Sequence, residues 1–141
     1  EELNESVINK KKPIYGICAG MQLFGTTSYE EEETSGLNWI KGDIVRINPG
    51  VSSLKIPHMG WNELDIKKNS GVFKNINNKS HAYFIHSYEF LPKDKEVIFL
   101  STNYGKDIVA AVCHENIYGS QFHPEKSQAT GIKILSNFLK I

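Results

Sequence analysis

The stretch from Gly16 to Gly20 constrains the fold of this chain more than any other feature of its sequence. Its residues, Gly16-Ile17-Cys18-Ala19-Gly20, follow a short apolar run that begins at Pro13 and precede the helix-forming residues Met21 to Phe24. A short apolar run, a cysteine flanked by glycines and a helical start together predict a strand-to-helix turn of the nucleophile-elbow type. The sequence therefore predicts an α/β fold with Cys18 at the end of a buried strand.

The spacing of this motif has steric and electrostatic reasons. A sharp turn crowds the positions two before and two after the nucleophile, so both Gly16 and Gly20 are expected to be needed there. A helix that starts after Cys18 is expected to favour the thiolate, and the backbone N–H of Ala19 is expected to point at a developing oxyanion. The alternative for this motif alone is a buried structural cysteine in a glycine-rich turn.

A second motif, near the C-terminus, supplies the groups that a nucleophilic cysteine needs. In His123-Pro124-Glu125 the imidazole and the carboxylate are two residues apart, so both face the same side of an extended backbone. Pro124 keeps His123 out of the helical region, which lets Glu125 approach the imidazole. We predict a triad in which Cys18 attacks, His123 transfers the proton and Glu125 orients the imidazole. By itself, His123 would be interpreted as a surface histidine at a strand end.

The other histidines and the second cysteine show how little a single residue indicates. His114 follows Cys113 in a predicted strand, so their side chains face opposite sides and make a poor catalytic pair. The remaining histidines are His58, His81 and His86.

Composition excludes several classes of function. The 141 residues carry 16 basic and 16 acidic side chains, and a net charge of zero argues against a nucleic-acid partner. No apolar run approaches the ~20 residues that span a bilayer, so we expect a cytoplasmic protein with no membrane contact. In that compartment the two cysteines stay reduced. No metal-binding motif is present, and no cofactor is expected.

The remaining sequence predicts one domain, residues 1–141, with a β-rich middle between two helices. Helical spacing is found at 3–11, and a last helix is expected to begin at Ser127 as its N-cap. The acidic run Glu30 to Glu33, with residues 34–36, is predicted to be a solvated loop without a role beyond solubility. The apolar face predicted for the last helix consists of Ile132, Leu135, Phe138 and Leu139. The segments with strand character are 42–47, 61–66, 82–88, 97–100, 108–114 and 117–122.

Two long motifs resemble the class I glutamine amidotransferase family, namely Gly16 to Gln22 and Gln121 to Ser127. Two further segments, Pro57 to Asn62 and Tyr83 to Tyr88, are most similar to the glutaminase subunits of imidazole glycerol phosphate synthase. The resemblance extends over nearly the whole chain. It implies a flavodoxin-like open mixed sheet with flanking helices. It also implies hydrolysis of L-glutamine to glutamate and ammonia, which a (β/α)8-barrel synthase subunit receives in a heterodimer of histidine biosynthesis.

The resemblance also implies roles for residues outside the triad. Gln22 matches a position that helps to hold glutamine, and Ser87 and Tyr88 match a segment whose backbone meets the substrate's amino and carboxylate groups. Ala19 matches the oxyanion position. The residues that match positions at the synthase interface are Trp61, Asn62, Tyr83 and Lys126. For Trp61 and Tyr83 the alternative is ordinary core packing.

Members of this family begin with a strand and a glycine-bearing loop that supplies a second oxyanion donor. We therefore expect an N-terminal portion to be missing here, and expect weak glutaminase activity from this chain alone, because losing one such donor lowers turnover by ~10²–10³. One alternative is a paralogue that supplies ammonia for amidation of a nucleotide-linked or surface-polysaccharide sugar. Two others are a non-catalytic binding module and a cysteine peptidase or γ-glutamyl hydrolase of related fold, in which Pro57 to Asn62 has no evident purpose.

Overall fold

The computed structural model describes residues 1–141, which form three helices and eleven strands. The helices are α1 (Glu2–Asn4, continued by a π-helical turn over Glu5–Asn9), α2 (Ala19–Gln22) and α3 (Gln128–Leu139). The strands are β1 (Ile14–Ile17), β2 (Thr27–Ser28), β3 (Thr34–Ser35), β4 (Gly42–Arg46), β5 (His58–Glu63), β6 (Asp65–Ile66), β7 (His81–His86), β8 (Tyr88–Pro92), β9 (Ile98–Asn103), β10 (Asp107–His114) and β11 (Ile117–Ser120). Single 3₁₀ turns cover Gly71–Phe73, Lys95–Val97 and Pro124–Lys126.

The strands form a central mixed sheet and two smaller sheets. The central sheet has the order β1-β11-β10-β9-β6, in which only β1 and β11 are parallel. A four-stranded sheet has the order β3-β2-β4-β8, and β5 pairs with β7 as a separate antiparallel ribbon. The predicted α/β class and mixed sheet are confirmed. The division into three sheets was not predicted.

Two segments that the sequence presents as single strands are each divided between sheets. In the segment 61–66, β5 ends at Glu63, and Asp65 and Ile66 then pair with β9 of the central sheet. Leu64, between them, is fully buried in the core. The segment 82–88 is likewise interrupted at Ser87, after which β8 pairs with β4. A continuous apolar pattern cannot reveal such a change of partner, because each strand keeps the same period of two.

The apolar core lies on both sides of the central sheet. On one side, Ala111 of β10 packs with Phe84, Phe122 and Ile134 of α3. On the other side, Val112 packs with a cluster that includes Met21 of α2 and Phe90 of β8. Val109 and Val112 of β10 face one cluster and Ala110 and Ala111 face the other, so the alternation of the strand is interrupted where its pairing with β9 shifts register.

The buried face of α3 differs from the predicted one. Ile132 and Leu139 are 67% and 82% exposed, so their assignment to the apolar face was wrong, whereas Leu135 and Phe138 are half-buried. The buried residues of α3 are Gly131, Ile134 and Asn137.

Two polar or small residues explain this rotation of α3. A Cβ atom on Gly131 would lie 1.7 Å from the carbonyl oxygen of Pro124, so the glycine permits a close approach to the preceding turn. The Asn137 side chain donates hydrogen bonds to the carbonyl oxygens of Val72 and Lys74 at 2.9 and 3.0 Å. A pattern based on apolar residues alone ignores both contacts.

Ser127 precedes α3, as predicted, but its hydroxyl does not cap the helix. Its Oγ donates to the carbonyl oxygen of His123 at 2.6 Å and accepts from the backbone N–H of Tyr83 at 3.0 Å. Ser127 therefore ties the turn that carries His123 to β7. None of the helices has the length and apolar character that crossing a membrane requires.

Candidate active site

Cys18 lies at the strand-to-helix turn that the sequence predicts. Its backbone N–H donates to the carbonyl oxygen of Ser120 at 2.8 Å, which extends the pairing of β1 with β11 by one residue. Its backbone has φ 54° and ψ −108°, a conformation that a non-glycine residue adopts only under strain. The elbow therefore holds the thiol at the carboxyl end of β1, immediately before α2.

The two glycines of the motif are not equally constrained. A Cβ atom on Gly16 would lie 2.6 Å from the backbone carbon of Gly20 and 2.7 Å from Cζ of Phe24, so the predicted crowding is confirmed there. A Cβ atom on Gly20 would meet no atom within 4 Å, so the same prediction is wrong for Gly20. The two positions differ because the start of α2 and the Phe24 side chain pack directly against Gly16, whereas a side chain on Gly20 would point into open space.

His123 and Glu125 form a close pair near the same end of the central sheet. Since β11 runs parallel to β1, the residues that follow Ser120 emerge at the edge where Cys18 lies. His123 has an extended backbone, as predicted, and its Nδ1 lies 2.6 Å from Oε1 of Glu125 in the following 3₁₀ turn. Glu125 thereby fixes the orientation of the ring and places the ring proton on Nδ1.

The thiol has two hydrogen-bond contacts, and the imidazole of His123 is not one of them. Sγ of Cys18 lies 3.9 Å from the carbonyl oxygen of Ile85 and 3.6 Å from Nε2 of Gln121. The structure thus brings the His123–Glu125 pair together and leaves the Cys18–His123 contact open. Catalytic hydrogen bonds often tighten only when substrate is bound.

Opposing effects act on the acidity of the Cys18 thiol. Burial is the largest and raises its pKa; the backbone N–H of Ala19 and the Gln121 side chain lower it. The negative charges of Glu125 and Glu30 raise it further. The Ala19 N–H thus lowers the pKa of the thiol as expected, but burial raises it by more. A thiol in this setting needs a base to remove its proton.

Gln22 and Tyr88, both predicted to lie at the substrate site, are brought together. Nε2 of Gln22 donates to the Tyr88 carbonyl oxygen at 3.1 Å and to Oε1 of Gln121 at 3.2 Å. Ser87 lies beside them, and its carbonyl oxygen accepts from Ile47 at the end of β4. Gln121 is fully buried, and no role for it was predicted from the sequence. Its position two residues before His123 was the signal available in the sequence. A glutamine that is buried there needs polar partners, and the candidate site supplies them.

A cavity of about 410 Å³ opens next to α2. Ala19 and Gln22 line it on one side, and Glu30 and Glu31 line it on the other. The acidic run is exposed, as predicted, but Glu30 and Glu31 also form part of this cavity wall, which was not predicted. Residues 34 and 35, predicted as loop, form β3 because they pair with β2. That pairing folds the acidic loop back toward the elbow.

Three of the four predicted interface residues form one exposed patch on the outer face of the β5–β7 ribbon. Trp61 is 50% exposed, and its ring lies 6.0 Å from that of Tyr83. Nζ of Lys126 lies 5.8 Å from the Tyr83 ring centroid. Trp61 is therefore not a core residue. Asn62 faces the opposite side of β5, where its Nδ2 donates to the Asn103 carbonyl oxygen at 2.8 Å, so it does not join the patch.

No group of three or more His, Cys, Asp or Glu side chains is arranged to hold a metal ion. Both cysteines are free and half-buried.

Comparison with known proteins places this site in context. The family model "Glutamine amidotransferase class-I" matches residues 1–141. The chain is 52% identical over 141 residues to "Imidazole glycerol phosphate synthase subunit HisH" of Pelagibacter ubique, covering 100% of this chain and 68% of that protein. It is 47% identical over 135 residues to the protein of the same name from Ruegeria pomeroyi, covering 96% and 64%. The chain thus spans about two thirds of the length of these curated relatives.

Solved structures are similar in fold at lower sequence identity. A glutamine amidotransferase with 18% identity superposes with a TM-score of 0.69, covering 99% of this chain and 65% of that one. A glutamine amidotransferase from Thermotoga maritima, also 18% identical, gives a TM-score of 0.61, covering 99% and 52%. These likenesses agree with the mixed-sheet α/β fold described above.

Proposed function

The chain belongs to the class I glutamine amidotransferase family, and on that basis we propose that it hydrolyses L-glutamine to glutamate and ammonia. The observation that carries the proposal is the placement of the strained Cys18 and the His123–Glu125 pair at the ends of the parallel strands β1 and β11. Residues 1–141 act as one amidotransferase domain in this proposal.

The reaction follows from the groups at this edge. His123 accepts the thiol proton, and the Cys18 sulfur attacks the side-chain amide carbon of glutamine, while the Ala19 N–H stabilises the oxyanion. The C–N bond breaks, the proton on His123 goes to the leaving nitrogen, and ammonia departs from a glutamyl thioester. Water then attacks the thioester with His123 as base, which releases glutamate and regenerates the thiol. Glu125 stabilises the imidazolium in both steps.

Substrate binding is assigned to the cavity beside α2. Gln22 lines this cavity, and its side-chain oxygen is assigned to the amino-acid end of glutamine. The backbone of Ser87 and Tyr88 lies outside the cavity lining, where the Tyr88 carbonyl oxygen accepts from the Gln22 amide. Glu30, which lines the same cavity, offers an anionic partner for the α-ammonium group. The acidic run thereby receives a role that its composition did not suggest.

The ammonia is proposed to pass to a (β/α)8-barrel synthase subunit in a heterodimer in the cytoplasm. Two features support this partner: the relatives are named as subunits of imidazole glycerol phosphate synthase, and Trp61, Tyr83 and Lys126 form an exposed aromatic and basic patch. Exposed tryptophan and tyrosine side chains are typical of interface centres. The names of the relatives favour histidine synthesis over amidation of a sugar.

The nucleophile assignment is tested with the full-length protein in complex with its synthase subunit. We expect Cys18→Ala to abolish glutamate release from glutamine, because no other thiol lies at the elbow. Cys113→Ala, which changes the other half-buried thiol, serves as the matched control and should keep wild-type activity. Glutamate release that is unchanged in Cys18→Ala would refute the mechanism.

The patch is tested by titrating the synthase subunit into labelled protein. Trp61→Ala should weaken the complex by about tenfold or more, as truncation of a central aromatic residue commonly does. Ile132→Ala removes a comparably exposed apolar side chain from α3 and should leave the affinity unchanged. Equal dissociation constants for Trp61→Ala and the wild type would place the interface elsewhere.

A further inference from the structure

A buried pair of histidines lies close to the candidate site but outside the triad. His58 of β5 and His86 of β7 face each other on the inner side of the ribbon and are 3% and 6% exposed. Nδ1 of His58 lies 2.9 Å from Nε2 of His86. Burying two imidazoles is unfavourable unless all their ring nitrogens form hydrogen bonds. The groups that bond to these nitrogens therefore show which part of the structure the pair supports.

The hydrogen-bond partners of the two rings show that both histidines are neutral and carry their proton on Nδ1. A carbonyl oxygen can only accept, so His86 Nδ1, which lies 2.9 Å from the Tyr88 oxygen, carries the proton. Nε2 of His86 is then an acceptor for Nδ1–H of His58. Nε2 of His58 in turn accepts from the Asn62 amide at 3.1 Å. All four ring nitrogens are satisfied with both histidines neutral, and burial, which lowers the pKa of each, acts in the same direction.

The same hydrogen bonds continue to the nucleophile. The Tyr88 oxygen that accepts from His86 also accepts from Nε2 of Gln22 at 3.1 Å. The second hydrogen of that amide goes to Oε1 of Gln121 at 3.2 Å, and Nε2 of Gln121 faces the Cys18 sulfur at 3.6 Å. Each N–H hydrogen in this series is used once, and the Tyr88 oxygen accepts from both His86 and Gln22. An unbroken polar chain therefore runs from Asn62 to Cys18.

The histidine end of the chain is held rigidly by aromatic packing. The ring of His58 packs against those of Phe84, at a centroid distance of 4.6 Å, and Tyr104, at 4.2 Å. Since both contacts are stacked or tilted against the ring faces, the imidazole cannot rotate without losing them. A donor fixed in this way fixes the Tyr88 carbonyl in turn.

Building on the proposed glutaminase activity, we propose that His58, His86 and Gln121 are positioning residues of this site. The histidine pair holds the Tyr88 carbonyl and, through it, the Gln22 amide in the orientation that receives glutamine. Gln121 accepts from the same Gln22 amide and directs its own N–H at the sulfur, where it stabilises the thiolate. His58 and His86 act through their neighbours, whereas Gln121 also contacts the Cys18 sulfur directly.

The first test separates the two functions of Gln121 in the full-length protein with its synthase subunit. Gln121→Met removes both hydrogen bonds, so the KM for glutamine should rise roughly tenfold, the typical effect of one lost hydrogen bond. Alkylation of Cys18 by iodoacetamide should also shift to higher pH, because Gln121 no longer lowers the pKa of the thiol while Glu125 and Glu30 still raise it. Gln121→Glu keeps an oxygen that accepts from Gln22, so its KM should stay near the wild-type value.

The second test addresses the histidine pair. His58→Phe keeps the aromatic packing but removes the donor to His86, and the KM should rise roughly tenfold with a smaller change in kcat. His58→Asn places an amide N–H where Nδ1 was, so it should restore most of the lost affinity. His114→Phe, an exposed histidine outside the chain of hydrogen bonds, is the matched control.

Several outcomes would overturn the proposal. A folded His58→Phe with wild-type KM and alkylation profile would do so, as would a Gln121→Met protein with both quantities unchanged. If His58→Phe fails to fold, Gln121→Met decides. Alkylation of Cys18 needs no turnover, so a wild-type protein that lacks glutaminase activity would defeat the proposed function while the alkylation profile still tests the role of Gln121.

Discussion

At Cys18 the protein environment works against the charged form of its own nucleophile. Burial and the carboxylates of Glu30 and Glu125 raise the pKa of the thiol, whereas Ala19 and Gln121 lower it. A neutral resting thiol is less open to oxidation and alkylation, because those reactions need the thiolate. In the proposed mechanism the proton leaves as the substrate arrives and passes to His123, whose ring lies 2.6 Å from the Glu125 carboxylate.

The negative charge of Glu125 can be removed with little change in the shape of its side chain. Glu125→Gln keeps an oxygen that can accept from Nδ1 of His123 but removes the negative charge that stabilises the imidazolium. We expect kcat for glutamine hydrolysis to fall about 10²–10⁴-fold with little change in KM, as for other orienting carboxylates. The measurement is steady-state glutamate release by the full-length protein with its synthase subunit.

The control for this variant is Glu115→Gln, which removes an exposed carboxylate paired with Lys11 at 2.6 Å, away from the elbow. It should retain wild-type kcat. If Glu125→Gln lost no more activity than Glu115→Gln, the pairing with His123 would have no part in catalysis.

Individual site residues differed in how well the sequence revealed them. The placement of Cys18 at the elbow and the pairing of His123 with Glu125 could be predicted because each depends on a local motif, whereas their catalytic roles stay a proposal. Gln121 and Glu30 could not be predicted, since their roles depend on where distant segments meet: Gln121 contacts Gln22 across 99 positions of sequence. Asn62 illustrates the same limit, because a match by motif does not say which face of a strand a side chain occupies.

The structure of the turn from β1 to α2 distinguishes the two glycines, which the sequence motif treats as equivalent. A Cβ atom on Gly16 would collide with backbone atoms of Gly20, whereas a Cβ atom on Gly20 would meet nothing within 4 Å. Gly16→Ala should therefore displace α2 and the thiol and destabilise the protein by about 1–3 kcal/mol, as overpacking usually does. Gly20→Ala should be tolerated and can even favour the helix.

The two variants control for each other, because each adds one methyl group to the same turn. Urea unfolding gives the change in the free energy of unfolding, and the rate of Cys18 alkylation reports the geometry of the elbow. Equal destabilisation by both substitutions would contradict the asymmetry of the turn.

Sequence patterns predicted most elements but not their environment. The period-two segments became strands, and α3 begins after Ser127 as expected. The face of α3 was wrong because Gly131 and Asn137 determine the packing, one through the absence of a side chain and the other through hydrogen bonds. Neither effect contributes to an apolar pattern. The short β3 depends on pairing with β2, which is a tertiary contact rather than a local preference.

For the whole molecule, the arrangement of sheets places polar chemistry between two apolar clusters. The clusters cover opposite faces of the central sheet, and the candidate site lies where β1 and β11 end. The β5–β7 ribbon has the exposed patch with Trp61 on one face and the His58–His86 pair on the other. One strand, β5, thus contributes to both the proposed partner surface and the buried polar chain.

Global stability should consequently depend on pH through this histidine pair. Burial lowers the pKa of His58 to about 4 from its ordinary 6.5, and it also lowers the pKa of His86. Between pH 6.5 and 4 the unfolded chain binds more protons than the folded one, so stability is fully present above pH 6.5 and is lost as the pH falls toward 4. From pH 7 to pH 5, His58 alone should account for about 1–2 kcal/mol of the decrease in unfolding free energy.

Urea unfolding at pH 7 and pH 5 measures this decrease. Carboxylates also contribute to it, so the informative quantity is the difference between the wild type and His58→Phe, which cannot take up the proton. His58→Phe should be less stable than the wild type at pH 7, because His86 loses its donor, yet it should lose about 1–2 kcal/mol less on acidification. His114→Phe, which removes an exposed histidine, should follow the wild-type pH dependence. If His58→Phe lost as much stability as the wild type between the two pH values, the buried pair would not be neutral in the folded protein, and the directions assigned to its hydrogen bonds would be wrong.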